Sequence, residues 1–302
     1  MSKIKSITRF ITAFNRATTY DDSIEETHQM LSYIEYDEYG NVCCDKTYNL
    51  YGECENVSKR VFDENSQVIE EILCESEDCD PYEQRINTYN ADGMLLESKV
   101  LYLEDEVVEK FTYNQDNRLI KKEIVYSDGF SYIENKYVWD GNLLLEESEL
   151  DDDGKLTIEK KYTYDEKNRL TTIVEQDINQ GNKTTEIYEY VDFGVSKHQV
   201  LNLKEEVVSR QSFIYNDLGV LSERIVETPN SFIRHVYEFD DNKNLIKEQL
   251  LNNEDLLLTK KEYVYNEQGD ETGMKVYSRN IVDNNDEFIL IEKYTSKYEY
   301  YT

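Results

Sequence analysis

From residue 33 onward the chain alternates polar and apolar positions in short runs, each closing on an aromatic–x–aromatic step and then a turn residue. "KYTYDEKNRL" (161–170) shows the unit, and "KFTYNQDNRL" (110–119), "SFIYNDLGVL" (212–221) and "VYEFDDNKNL" (236–245) repeat it. With the second aromatic as anchor, the series runs Tyr36, Phe62, Tyr89, Tyr113, Trp139, Tyr164, Tyr190, Tyr215, Phe239, Tyr265 and Tyr300. A fixed period of this length marks a repeat architecture. Side chains alternate along a strand, so Tyr162 and Tyr164 share one face and Thr163 takes the other. Asp165 can bond to amides ahead of it and start a turn. Asn168, like glycine at the same place in other units, tolerates the left-handed conformation such a turn needs. Leu170 then begins the return strand. The pattern predicts an all-β protein of about 11 tandem β-hairpins, ~25 residues each, and roughly 21 antiparallel strands in an elongated or spiralling sheet.

The first 32 residues break this rhythm. Ile4, Ile7, Phe10, Ile11 and Phe14 fall at helical spacing, which predicts a short N-terminal helix capping the first strand edge. The expected organisation is a helical cap over 1–32 and a hairpin array over 33–302.

Composition narrows the class. The chain of 302 residues is 39% hydrophobic, with 11 Gly and 2 Pro, which excludes collagen-like and low-complexity types. Its 26 tyrosines, against 10 Phe and 1 Trp, imply a thin, half-wet core, because a buried tyrosine hydroxyl wants a partner. The formal net charge of −31 disfavours binding to nucleic acid or to an anionic membrane and favours a basic protein partner. No run of about 18 apolar residues suggests a spanning helix, and the N-terminus lacks a secretory pattern. The five cysteines, Cys43, Cys44, Cys54, Cys74 and Cys79, read as reduced thiols. Together these place the expected protein in the cytoplasm, with no membrane contact.

The units "YTYDEKNRL" (162–170) and "FTYNQDNRL" (111–119) resemble the RHS/YD repeat, whose signature is an aromatic–x–aromatic–Asp step, a turn and a basic–Leu pair. The resemblance covers about 33–302 and implies a spiralling β-sheet. In that family the repeats can build a shell around a toxin, and related short-repeat proteins serve as bacterial binding surfaces. The array here is short and lacks the shell-type C-terminal end, so the resemblance implies the architecture and not encapsulation.

Candidate chemistry is sparse. The three histidines, His28, His198 and His235, lie far apart in sequence, and no serine or cysteine sits in a nucleophile signature. "ELDDDGKLTIEK" (149–160) partly matches a calcium loop, but its twelfth position is Lys160 where a bidentate Glu belongs. It also falls where a hairpin turn is due. The cysteine spacings lack the rhythm of a zinc site. The expectation is a non-enzymatic protein with no cofactor and no metal.

One constellation stands out. The variable turns carry Glu75, Glu77 and Asp78; Glu104, Asp105 and Glu106; Asp151, Asp152 and Asp153; Glu205 and Glu206; Glu254 and Asp255; and Asp283, Asp286 and Glu287. Alternate turns of a hairpin stack share a rim, so these would line up as one acidic, partner-binding rim. The functional expectation is an immunity-type antagonist holding a cationic toxin or effector. The alternative is a structural or adhesive assembly module related to RHS shells.

Overall fold

The computed structural model describes residues 3–18, 21–78, 80–103, 105–279 and 287–301. All the regular structure among them is strand. In chain order the first half holds β1 (Ile4–Thr18), β2 (Asp21–Tyr36), β3 (Val42–Tyr48), β4 (Cys54–Phe62), β5 (Val68–Cys74), β6 (Pro81–Tyr89), β7 (Leu95–Tyr102), β8 (Glu106–Tyr113), β9 (Leu119–Tyr126), β10 (Ser131–Asp140) and β11 (Leu143–Leu150). The second half holds β12 (Leu156–Tyr164), β13 (Leu170–Asp177), β14 (Asn182–Val191), β15 (Gly194–Leu201), β16 (Val207–Tyr215), β17 (Leu221–Thr228), β18 (Ser231–Phe239), β19 (Leu245–Leu251), β20 (Leu257–Tyr265), β21 (Glu271–Arg279) and β22 (Phe288–Tyr300).

All 22 strands belong to one sheet, and the chain divides into two compact units, 1–84 with 233–302 and 85–232. Within the second unit, successive strands pair antiparallel from β7 to β17, as between Tyr162 of β12 and Ile173 of β13. The first unit contains the seam. There β22 runs antiparallel to β1, with Ile7 opposite Tyr298 and Ile11 opposite Tyr294, and β1 pairs on its other side with β2. Tyr301 adds a clasp, its amide donating to the Lys3 carbonyl and its hydroxyl to the Tyr36 carbonyl.

Two expectations fall here. The N-terminal segment is a strand and not a helix. Ile7 and Ile11 are buried, and the four-residue step that joins them suits a strand face as well as a helix face. The three-residue steps, Ile4 to Ile7 and Ile7 to Phe10, had argued for a helix; in the strand they switch faces. Phe10 stacks on His28 with ring centroids 5.3 Å apart and Lys297 lies over its ring. The sheet is also not open or spiralling: the β1–β22 pairing closes it into barrel topology, in which the first and last strands satisfy each other's edge.

The turn chemistry follows from the residues. Asp165 Oδ1 accepts the amides of Lys167 and Arg169 at 2.8 and 2.9 Å, and Asn168 sits at φ 60°. Asp37, Asp63, Asn90, Asn114, Asn216, Asp240 and Asn266 brace their turns through the same two amides. The anchors then tie each unit to the one before. Tyr164, Tyr190, Tyr215 and Tyr265 donate their hydroxyls to the carbonyls of Leu144, Leu170, Val195 and Leu245, each twenty residues earlier. Trp139 Nε1 makes the same bond to Leu119. A group that is apolar along the ring and polar at its tip fits this half-buried place, which explains why the chain prefers tyrosine to phenylalanine there. Arg118 and Arg169 lie over the rings of Trp139 and Tyr190, adding a second contact between units.

The expectations of a cytoplasmic protein and of no membrane contact are also overturned in their grounds. No described helix is long and apolar enough to cross a membrane, but a closed antiparallel sheet is the other architecture that can span one. The thiol reading fails as well, since Cys74 is disulfide-bonded and disulfides persist in oxidising compartments. Cys43, Cys44 and Cys54 are free, while Cys79 lies outside the described residues.

Candidate functional site

The acidic turns occupy the connections that leave odd-numbered strands, and three of them use the bracing just described. Asp151 Oδ1 accepts the Lys155 amide, Asn202 Oδ1 accepts Lys204 and Glu206, and Asn252 Oδ1 accepts Glu254 and Leu256. Glu205 and Asp255 hold the left-handed position of their turns, at φ 63° and 59°. Asp151, Glu205 and Asp255 therefore shape the frame as well as carrying charge, and Asp152, Asp153, Glu205, Glu254 and Asp255 are displayed in solvent.

Several of these charges are already matched. Asp153 pairs with Lys155 at 2.7 Å, Glu106 with Lys99 at 2.8 Å and Asp255 with Arg234 at 3.2 Å. Glu206 accepts from the Asn202 amide group. In the first unit, Glu77 accepts from Tyr48 and Lys46, which hold its carboxyl below the usual range. Asp105 keeps its exposed side chain while its carbonyl closes the turn onto the Tyr102 amide. Glu104, Asp283 and Asp286 lie outside the described residues.

Acidity alone does not single out these turns. The connections that leave even-numbered strands expose Glu38, Glu64, Asp92, Asp116, Glu166, Asp217, Asp241 and Glu267. Exposed apolar side chains accompany the acids on both sets of turns. Leu103 is 82% exposed, Leu203 59% and Phe130 48% in the second unit, and Leu50 and Tyr51 stand out at 71% and 89% in the first. On the opposite turns Tyr39 and Leu218 are 83% and 80% exposed, while Phe193 leans against the Tyr215 ring, 6.3 Å away, and closes over Gly219. The sequence reading followed charge and missed these leucines, although "YLEDE" and "LNLKEE" display them.

Ionised groups also stand in mid-strand on the tyrosine face. Glu248, buried, accepts from His235 Nδ1 at 2.8 Å, Lys261 Nζ at 2.9 Å and the Tyr263 hydroxyl at 3.3 Å. Burial would raise its pKa, but His235 and Lys261 outweigh that and hold the carboxyl low. Tyr162 donates to Glu147 from the same place in its own unit. Lys122 is held between Glu109 and Glu134, at 3.0 and 2.7 Å. The opposite face carries pairs of its own, such as Lys161 with Glu159 at 3.0 Å. An uninterrupted apolar band, as lipid-facing strands present, is absent from β8–β9 and β11–β13.

Each histidine is engaged by a neighbour. His198 meets Glu186 at 3.0 Å and stacks on Tyr188, His235 meets Glu248, and His28 contacts Thr12 Oγ1 at 2.9 Å. None of them stands beside a serine or cysteine nucleophile in these contacts. Among the described residues no group of three or more His, Cys, Asp or Glu is placed to hold a metal ion. The calcium-loop segment is a turn, with Gly154 at φ 76°.

A groove in the second unit joins the two kinds of turn residue. It has a volume of ≈ 350 Å³ and lies between the β9–β10 and β11–β12 turns. Tyr132 and Ile133 line one side, and Leu150, Asp152, Asp153 and Gly154 the other.

No family model matches the chain, and no curated protein matches it. Among solved structures, a porin-like protein from Bacteroides uniformis ATCC 8492 is similar at 9% identity and a TM-score of 0.37, over 99% of each chain. A porin-like protein from Bacteroides vulgatus ATCC 8482 is similar at 10% identity and a TM-score of 0.27, over 99% of each chain. TcdB2–TccC3 without its hypervariable C-terminal region is similar at 13% identity and a TM-score of 0.44, over 96% of this chain and 20% of that one. The chain thus spans about a fifth of TcdB2–TccC3, an RHS/YD-repeat-containing toxin. At TM-scores under 0.5 these likenesses carry no argument about what the chain does. They give no support to YD-repeat membership as such or to an immunity role, and the closed sheet already removes the grounds of the cytoplasmic, membrane-free expectation. Those readings are withdrawn.

Proposed function

We propose that the chain is a non-enzymatic binding protein that takes a cationic, partly apolar ligand on the turns leaving its odd-numbered strands. The observation that carries this is the pairing of exposed Leu103, Phe130 and Leu203 with exposed Asp152, Asp153, Glu205 and Glu206 in one unit. Turns favour polar residues for solvation, which accounts for the acids but not for the leucines. Fixed turn frames that display variable tips are the usual division between a scaffold and its binding loops. The net charge of −31 draws cations towards the whole molecule and would speed their association.

The test uses a synthetic lysine–leucine amphipathic peptide and stopped-flow binding at low and moderate salt. Neutralising Asp152, Asp153, Glu205 and Glu206 to their amides should slow association and flatten its salt dependence. Neutralising Glu166, Asp217 and Asp241 on the opposite turns should change it far less. Leu103→Ser with Leu203→Ser should speed dissociation instead. Equal effects from both sets of charge changes would reduce the acidity to a solubility device. Two further measurements bear on rival readings: stepwise conductance in planar bilayers would replace this reading with a pore, and concentration-dependent polymers would replace it with an assembly module.

A further inference from the structure

The groove between the β9–β10 and β11–β12 turns has one aromatic wall and one acidic wall. Tyr132 lines the aromatic side, and Tyr126 and Phe130 pack around it with ring centroids 6.0 to 6.4 Å apart. Three such rings at one hairpin end are poorly explained by core packing, because Tyr126 and Phe130 are 41% and 48% exposed. The hairpin that presents them is tightly built: Gly129 takes φ 89°, the Tyr126 amide donates to the Phe130 carbonyl, and Asp128 Oδ1 accepts the Phe130 amide. Across the groove, Asp152 makes no ion pair among the described residues, while Asp153 is paired only with Lys155, itself in open solvent. The remaining charges of the lining are Glu123, held by Lys121 at 3.0 Å, and Lys136. Burial, then Tyr126, Glu134 and Asp152 among its neighbours, keep the Tyr132 hydroxyl above its ordinary pKa. The ring therefore stays neutral beside the carboxylates at physiological pH.

We propose that this groove binds the head of an organic cation, an alkylammonium or alkylguanidinium group, with its apolar face on Tyr132 and its charge toward Asp152 and Asp153. Aromatic faces attract cations through their quadrupole, and a weakly hydrated organic cation gains more from that contact than a small inorganic one. The carboxylates supply the complementary charge, and Lys155 can leave Asp153 for water at little cost, since exposed ion pairs contribute little. A primary ammonium and a guanidinium share this chemistry; the two are separated by the probes below. The inference rests on the cationic-ligand reading of the turns and adds the place where the charged head sits.

The experiment follows the aromatic resonances of selectively labelled tyrosine in the full chain, with Tyr132 assigned through Tyr132→Phe. Tetramethylammonium, butylammonium and ethylguanidinium are the cationic probes, sodium chloride controls for ionic strength, and tert-butanol is the uncharged control. Saturable shifts of Tyr126 and Tyr132 are expected with the organic cations and not with the controls. Tyr132→Ala should weaken binding at least tenfold and Tyr132→Phe less than threefold. Asp152→Asn with Asp153→Asn should also weaken it about tenfold. Equal shifts from tert-butanol, or binding that survives Tyr132→Ala, would overturn the proposal. Should the lysine–leucine peptide still depend on the acidic turns while all three probes leave these rings unmoved, the groove assignment falls and the binding-protein reading stands.

Discussion

The Tyr164 hydroxyl donates to the Leu144 carbonyl at 2.8 Å, across twenty residues and from one repeat unit to the preceding one. Tyr190, Tyr215, Tyr265 and the indole of Trp139 make the same twenty-residue bond, and Tyr113 reaches the Leu95 carbonyl eighteen residues back. The repeat is thereby held by a side chain reaching past the strand ladder, and tyrosine is chosen for its tip as much as its ring.

Removing that tip should be measurable. Tyr164→Phe is expected to cost about 1 kcal/mol in urea unfolding, the net worth of one hydrogen bond. Tyr164→Ala should cost roughly 3 kcal/mol, at the low end for an aromatic truncation because the ring is half-buried. Thr163→Ala, on the exposed face, should stay within about 0.5 kcal/mol. Equal costs for Tyr164→Ala and Thr163→Ala would contradict the facing.

Closure can be read from hydrogen exchange. With β2 on one side and β22 on the other, consecutive amides from Thr8 to Thr12 of β1 have ladder partners in both directions. An edge strand would leave every second amide to solvent. Protection of successive amides across this stretch is expected, matching that of β12. Alternating protection would mean that the β1–β22 seam is open in solution.

Asn168 should behave as a left-handed turn residue. At φ 60° it lies where a Cβ-bearing residue without a local side-chain bond is disfavoured by about 1–2 kcal/mol. Asn168→Ala is therefore expected to lower stability by about 1 kcal/mol, and Asn168→Gly to be neutral within a few tenths. The reverse order would place the strain elsewhere in the turn.

Alkaline pH should unfold the protein through its tyrosine–carboxylate pairs. Burial and then Glu292 push Tyr294 up to about 12, and burial with Glu147 raises Tyr162 further. A group whose folded pKa exceeds its unfolded value contributes stability that is complete below the unfolded pKa, near 10.0 here, and is lost as pH rises through the folded one. Stability should thus be flat up to about pH 10 and fall above it. Glu147→Gln should weaken the coupling at Tyr162 and lower the pH at which its ring ionises, as followed by ultraviolet absorbance. A tyrosine titration centred at the free value, with no loss of stability, would contradict these pairs.

Acid should act through the turns. Backbone and side-chain bonds from Arg169 hold the Asp165 carboxyl below its ordinary 3.8. A depressed carboxyl contributes stability above the unfolded pKa and loses it as pH falls through the folded one. Asp165→Asn should flatten the dependence below about pH 4 in a urea–pH series. An unchanged acid limb would remove this turn from the acid response.

The local code was legible in the sequence. "KYTYDEKNRL" alone determined the strand, the facing of Tyr162 and Tyr164, the brace by Asp165 and the left-handed Asn168, because each depends on residues within a few positions. The candidate site was legible only in part. Charge located Asp151 to Asp153, but the meeting of Asp152 with Tyr132 joins segments about twenty residues apart, and strand pairing alone creates it. The N-terminus shows the limit most clearly. Ile7 and Ile11, four residues apart, satisfy a helix or a strand equally, and what decides between them is β22, nearly 300 residues away in sequence. A strand edge is satisfied by whichever partner the closed sheet delivers, and no local pattern specifies that partner.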